Sequence, residues 1–386
     1  MVQKDFTTTP GYTLYRGDRL RLLLPIATAA EIEAHAEAEA DAAELAAAAE
    51  KAAAAATQKA KLTPVIPPKK IISAPGPRDV EIFSESAMES LRAEVDSMES
   101  STMRAGERVY SSLMNDRGRY HTIPVINPCD VLSLVVEFEN MAEPIKYLAG
   151  EIELMAHLPP QDFHITPMLF LGDPGIGKTA FASALSKVLG VPYSKLKGSE
   201  PSFSLTGSHS SWNRAAPGLL IKQIASHDCA APLFLVDEMD KPSGEHYPIT
   251  NALLDLLEPE NARNFKDEFF QIYFDTSHAI WIMTANTIEG VAAPLLSRMR
   301  IFDIPTPGVD QRKRIIEADF KKLRNRTGIK VRTNPNDVMM LAERVDLDLR
   351  KVTRIVRDSF ITALGHGKLI ARFDCPSAPK HSMGFI

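Results

Sequence analysis

The chain has 386 residues, of which 45% are hydrophobic and 24% charged, with a formal net charge of −5. That length suggests two or three domains with ordinary packed cores, and the acidic balance argues against nonspecific binding to nucleic acid. No apolar run reaches the ~18 residues needed to span a bilayer, and Cys129, Cys229 and Cys375 form neither a CxxC pair nor a Cys/His cluster. The thiols are expected to be reduced, with no zinc site and a cytoplasmic location as the default. The apolar patch over residues 20–30 is interrupted by Arg21 and Pro25 and is too short for a signal peptide.

Residues 27–62 are mostly Ala and Glu. Thr28 and Glu31 form a capping box, acidic residues fill the early turns, and Lys51, Lys59 and Lys61 fill the last, so a helix is predicted. Its only large apolar residues are Ile32, Leu45 and Leu62, which suits an exposed spacer or an assembly arm. Pro64 ends it, and the five prolines between Thr63 and Pro77 read as a linker. Ile82, Met88, Leu91, Val95 and Met98 give helical spacing over residues 81–104, and Pro124 and Pro128 bracket a boundary.

Beyond Asp130, Val131, Leu134, Val135, Phe138 and Met141, then Ile145, Leu148, Ile152 and Met155, predict packed helices. Met168–Leu171, Leu233–Val236 and Ile280–Met283 read as buried strands, and Thr179–Leu189 as a helix. Strands alternating with helices predict an α/β fold: a parallel sheet with helices on both faces. After Pro307 only helical patterns remain (311–326, 336–345 and 349–365), which predicts a small all-helical lid domain. The expected division is therefore 1–62, 63–129, 130–306, 307–375 and a short tail.

Gly172, Asp173, Pro174, Gly175, Ile176, Gly177, Lys178 and Thr179 read GDPGIGKT, a match to GxxxxGK[ST] between a strand and a helix. In such a loop backbone amides turn inward around phosphate, the lysine reaches the β- and γ-phosphates, and the Thr hydroxyl meets Mg2+. ATP and Mg2+ are the predicted cofactors. LFLVDE at 233–238 ends a strand in two acids: Asp237 is assigned to magnesium with Thr179, and Glu238 to polarising the attacking water. Asn286, after the third strand, is placed to hold that water or sense the γ-phosphate.

Residues from about 145 to 365 resemble the ATPase module of the Lon family of AAA+ proteins. The resemblance is carried by FLVDEMDK, NALLDLLEPENARNF, TANTIEGVAAPLLSRM and LDLRKVTRIVR, in the same order as in the family. It implies that Asn286 is sensor 1 and that Arg298 projects into a neighbouring subunit's nucleotide, with Arg300 as a competitor. It further implies that Arg350 is sensor 2, with Arg354 as a competitor. A finger acting on a neighbour requires a homo-oligomer, and the family implies a hexameric ring.

Lon-like motors also carry an aromatic residue on a loop that grips polypeptide in the central pore. The matching segment here is SSWNRAAPG, with Trp212 where the family usually has Tyr, and packing of Trp212 in a core as the alternative. A second pore loop is expected near 261–270, with Phe265 a contact. Lon's Ser-Lys protease is not expected: Ser377, Lys380 and Ser382 lie in a Pro- and Gly-containing tail. The favoured reading is an ATP-driven protein remodeller acting on a protein client, without proteolysis and without a membrane role. A nucleic-acid-associated ATPase and a nucleotide-gated scaffold are the alternatives.

Overall fold

The computed structural model describes residues 12–16, 21–25, 76–115, 118–241, 247–366, 368 and 370–374. The Ala/Glu-rich segment, most of the proline linker, Cys375 and the tail with Ser377, Lys380 and Ser382 lie outside the described residues. Residues 1–70 form a separate unit, in which β1 (Tyr12–Arg16) and β2 (Arg21–Pro25) pair antiparallel, Tyr12 opposite Pro25. No strand was expected there. No described helix is long and apolar enough to cross a membrane.

The larger unit begins with β3 (Asp79–Glu81), α1 (Glu85–Ser97), α2 (Ser100–Leu113) and β4 (Tyr120–Thr122), which pairs antiparallel with β3. Ser84 caps α1 by accepting the Ala87 N–H. Met98 and Glu99 are both extended, and this splits the single helix expected over 81–104 into two. Leu91, Val109, Leu113 and Ile123 join the same apolar cluster as the central sheet.

Asn127 caps α3 (Pro128–Ser133), and two short 3-10 turns lead into α4 (Ala142–Ala156). The core then alternates: β5 (Met168–Leu171), α5 (Lys178–Leu189), β6 (Tyr193–Lys197), α6 (Phe203–Thr206), α7 (Leu219–Ser226) and β7 (Leu233–Asp237). Helices α8 (Ile249–Leu256) and α9 (Pro259–Ala262) precede an antiparallel hairpin, β8 (Phe265–Asp267) and β9 (Ile272–Phe274). The order closes with β10 (Ile280–Ala285), α10 (Ala293–Leu296) and β11 (Arg300–Asp303).

Five strands form one wholly parallel sheet in the order β11-β5-β10-β7-β6. Its three central strands are the three that sequence predicts. They are apolar throughout because both faces are covered: every residue of β5 and β10 is buried, as are Leu233–Val236. Phe234 and Trp281 stack across neighbouring strands at 4.8 Å. The two edge strands carry charged residues on their open sides, which is why they escape an apolar-run search. β6 reads YSKLK, with only Ser194 and Leu196 buried.

A second apolar cluster, from Ile316 to Phe373, belongs to α11 (Val309–Thr327), α12 (Pro335–Ala342) and α13 (Leu349–Gly365). This lid is not wholly helical: β12 (Arg332–Thr333) pairs in parallel with β13 (Ile370–Ala371). Two-residue strands leave no periodic signal to read. Arg312 is buried and donates to the carbonyls of Ala342, Arg344 and Leu347, fixing the turn that leads into α13.

Candidate nucleotide site

The loop between β5 and α5 is shaped by glycines with positive φ: Gly172 at 147°, Gly175 at 79° and Gly177 at 105°. Two of them also meet close neighbours. A Cβ on Gly172 would lie 2.5 Å from the carbonyl oxygen of Ile304, and one on Gly175 would lie 2.9 Å from Cβ of Asp348. The loop is therefore pressed between β11 and the lid. Leu349 N–H donates to the Gly175 carbonyl at 3.1 Å, and Asp348 caps α13 by accepting from Lys351 N–H. The first turn of the lid helix is thus held directly over the loop.

A cavity of 790 Å3 opens at this junction. Its lining includes Pro174–Ala180, Asp237, Glu238 and Asn286 from the sheet side, and Gln311, Asp319, Lys322 and Arg350 from the lid. Of the predicted phosphate and hydrolysis residues of the sheet domain, Arg298 does not line it, and neither do Gly172 and Asp173. Those two lie at the base of the loop, where their carbonyls accept from the Lys178 ammonium. Lys178 is buried, and burial pushes its pKa down while Asp237, Asp240 and Asp173 oppose the shift.

Asp237 ends β7 under a dense set of donors. Its Oδ2 accepts from Thr179 Oγ1 at 3.0 Å and lies 2.6 Å from the Lys195 ammonium. Its Oδ1 accepts from Thr284 Oγ1. Burial alone would raise this carboxyl, but Lys195, then Thr284 and Thr179, outweigh it and hold the pKa below the usual carboxylate value. The next residue, Glu238, has φ 63° and donates its N–H to Thr284 Oγ1 at 3.3 Å. A left-handed backbone on a non-glycine residue costs about 1–3 kcal/mol and is typical of sites that aim a side chain. Glu238 is held by Lys241, 3.0 Å from Oε1. Asn286 donates Nδ2 to Asp240 Oδ2 at 3.2 Å, while Asp240 Oδ1 is buried without a hydrogen-bond partner among the described residues.

The arginines separate. Arg350 lines the cavity in the first turn of α13, and its charge acts on Lys178; Arg354 does not line it and pairs with Asp358 at 3.8 Å. Arg298 is absent from the cavity wall, tied to Glu258 at 3.2 Å and to the Pro294 carbonyl at 2.8 Å. Arg300 stacks over Tyr147 and Phe302 on the edge strand.

Trp212 is 45% exposed and not part of the core. It meets Phe203 and Tyr247 in T-shaped contacts at 6.3 and 5.7 Å, and those two are 40% and 55% exposed. The loop bearing it is pinched at its neck. Ser208 N–H donates to the Ala216 carbonyl, and a Cβ on Gly218 would fall 2.1 Å from the Leu205 carbonyl oxygen. Asp267 closes the neck from below, accepting from Gly218 N–H at 3.2 Å. Phe265, expected as a second client contact, is instead buried in the β8–β9 hairpin against Phe274, because alternate residues of that hairpin face the core.

Lys195, Thr284, Asp240, Asp267, Phe203 and Tyr247 are not singled out by the sequence. Each reaches the site through packing between distant segments. The weak signals were the lysine-bearing alternation of β6 and the polar Thr284 inside an otherwise apolar strand.

The donor set suits a magnesium nucleotide. Three glycines leave room and φ for inward amides, and Thr179 and Asp237 share one oxygen contact. Among the described residues, no group of three or more His, Cys, Asp or Glu gathers to hold a metal by itself. Mg2+ characteristically takes one or two protein oxygens and completes its shell with phosphate and water.

Residues 168–306 match the sequence profile of the ATPase family associated with various cellular activities (AAA). Lon protease of Borrelia duttonii is 35% identical over 141 residues, 36% of this chain and 17% of that protein. Lon protease 1 of Bdellovibrio bacteriovorus is 33% identical over 154 residues, 39% of this chain and 19% of that protein. The chain thus spans less than one fifth of the length of these curated relatives. An S. cerevisiae Hsp104:casein complex superposes with a TM-score of 0.52 at 16% identity, covering 69% of this chain and 51% of that one. A closed-state reconstruction of Hsp104 with ATPγS and FITC-casein gives 0.51 at 17%, covering 61% and 47%. At such identity the likeness is one of fold. With its parallel sheet and glycine loop, and the helical lid that follows, the chain carries a Lon-like AAA domain over residues 168–306.

Proposed function

We propose that this chain is an ATP-hydrolysing motor that grips an extended protein client through Trp212, and that it does not itself cut that client. The observation that carries this reading is the exposed Trp212 on a loop with a pinched neck, in the same domain as a fully furnished phosphate cavity. A half-exposed indole offers apolar contact to almost any side chain, which suits a motor indifferent to sequence. The Hsp104 structures of like fold hold casein, and casein is the natural first client to try.

In this reading Lys178 neutralises the β- and γ-phosphates, and Thr179 and Asp237 hold Mg2+. Bound magnesium would neutralise developing charge on the phosphoryl oxygens. Glu238 accepts the proton of the attacking water, and Asn286 orients that water. Arg350 brings positive charge from the lid. The position of Arg298 outside its own cavity favours a role at a neighbour's nucleotide, hence a closed ring of identical subunits. The two apolar clusters favour a boundary between the sheet domain and the lid near residue 307.

The test is Trp212→Ala, assayed for phosphate release and for unfolding of fluorescent casein. ATPase activity should persist while casein unfolding is lost. A variant that hydrolyses ATP and still unfolds casein at the normal rate removes Trp212 from the mechanism.

A further inference from the structure

Lys195 sits in the middle of β6, the edge strand beside β7. Along β6, Ser194 and Leu196 turn into the core, which puts Tyr193, Lys195 and Lys197 on the opposite face. From there the Lys195 ammonium comes within 2.6 Å of Asp237 Oδ2, while the lysine side chain keeps 41% of its surface exposed. The same oxygen accepts the Thr179 hydroxyl, and the other carboxylate oxygen accepts Thr284. Of the three donors on Asp237, only Lys195 is charged. The other lysine near this carboxylate, Lys178, is held by the carbonyls of Gly172 and Asp173.

A divalent cation held by Thr179 and Asp237 draws on the oxygen that already faces this ammonium. Two cations sharing one carboxylate at such range repel each other strongly in a partly desolvated site. Lysine suits this position better than arginine: a single compact charge on a flexible stem can swing toward solvent, and the exposed side of Lys195 leaves it a path.

We propose that Lys195 is a positioning counter-ion for Asp237 that competes with magnesium, and so sets the magnesium concentration at which the site takes up nucleotide. The proposal rests on reading Thr179 and Asp237 as the metal pair. Lys195 holds the Asp237 carboxylate turned toward Thr179, and it gives way as the metal enters. The site then fills with magnesium nucleotide only above a threshold that this one residue adjusts.

The experiment is a magnesium titration of fluorescent ATPγS binding, followed by anisotropy, on the full chain. Lys195→Met removes the charge and keeps the length, and its half-saturating magnesium concentration should fall about tenfold. Lys195→Gln keeps a neutral donor to Asp237 and should show the same fall, which guards against a folding defect in the first variant. Lys195→Arg keeps the charge and should stay within about threefold of the parent chain. An unchanged or increased magnesium requirement in folded Met and Gln variants overturns the proposal. Failure of the underlying reading looks different: the parent chain and Asp237→Asn would then bind nucleotide with the same dependence on magnesium.

Discussion

Thr179 Oγ1 donates to Asp237 Oδ2 at 3.0 Å, joining the first turn of α5 to the end of β7. The phosphate loop and the acidic strand end therefore form one hydrogen-bonded unit. The lid closes it from above, through Leu349 on the Gly175 carbonyl.

Removing the loop's cation should cost affinity first. Lys178→Ala loses its charged contacts with phosphate, each worth about 1.5–3 kcal/mol. Nucleotide binding measured by calorimetry should weaken by roughly ten- to a hundredfold or more. Unchanged affinity would contradict the assignment of Lys178.

Glu238→Gln keeps the shape of the strained turn and removes the base. Turnover should drop by about 10²–10⁴, the usual contribution of a general base, with nucleotide affinity retained. A normal phosphate-release rate would place the base elsewhere.

For Arg298 the prediction concerns neighbours. If Arg298 acts on a neighbour's nucleotide as proposed, Arg298→Ala should bind nucleotide normally and hydrolyse it about 10³–10⁵ more slowly, the range known for arginine fingers in nucleotide hydrolases. Mixed with Glu238→Gln protein, it should regain turnover, because some interfaces then pair an intact Glu238 with an intact Arg298. Mixtures no more active than the separate variants would confine Arg298 to its own subunit.

Asp267 should make stability depend on pH. It is buried, and burial, opposed by the N–H groups of Phe270, Gly218 and Phe269, raises its pKa to about 7. A folded value above the unfolded value near ~3.9 means the folded chain binds the extra proton, so stability is lost as pH rises between the two. The slope attributable to this group is about 1.4 kcal/mol per pH unit at most within that window. Denaturant midpoints should fall from pH 5 to pH 7 in the parent chain and fall less in Asp267→Asn. Equal slopes would exclude Asp267 as the source.

What sequence could reveal follows from how each feature is encoded. GDPGIGKT, the acids after LFLV and the apolar cores of β5, β7 and β10 are contiguous, so residue types and spacing suffice to find them. Arg350 is reached only through the resemblance of LDLRKVTRIVR to the start of the family's sensor-2 helix. Lys195 and Asp237 lie on different strands, and nothing in YSKLK distinguishes a counter-ion from a solvated edge lysine. The same holds for Phe203 and Tyr247, which reach Trp212 from separate segments, and for Asp267, whose partners are backbone amides. Phe265 was misplaced because loop and hairpin read alike over so few residues.

In the proposed motor, nucleotide-driven action on a protein client runs through Trp212. The most direct measurement is capture of fluorescent casein by Glu238→Gln protein in ATP, compared with the Glu238→Gln, Trp212→Ala double variant. The first should capture casein in an ATP-dependent way, and the second should lose that capture at equal nucleotide occupancy. Equal capture by both proteins, or none by either while the parent chain unfolds casein, would contradict this role of Trp212.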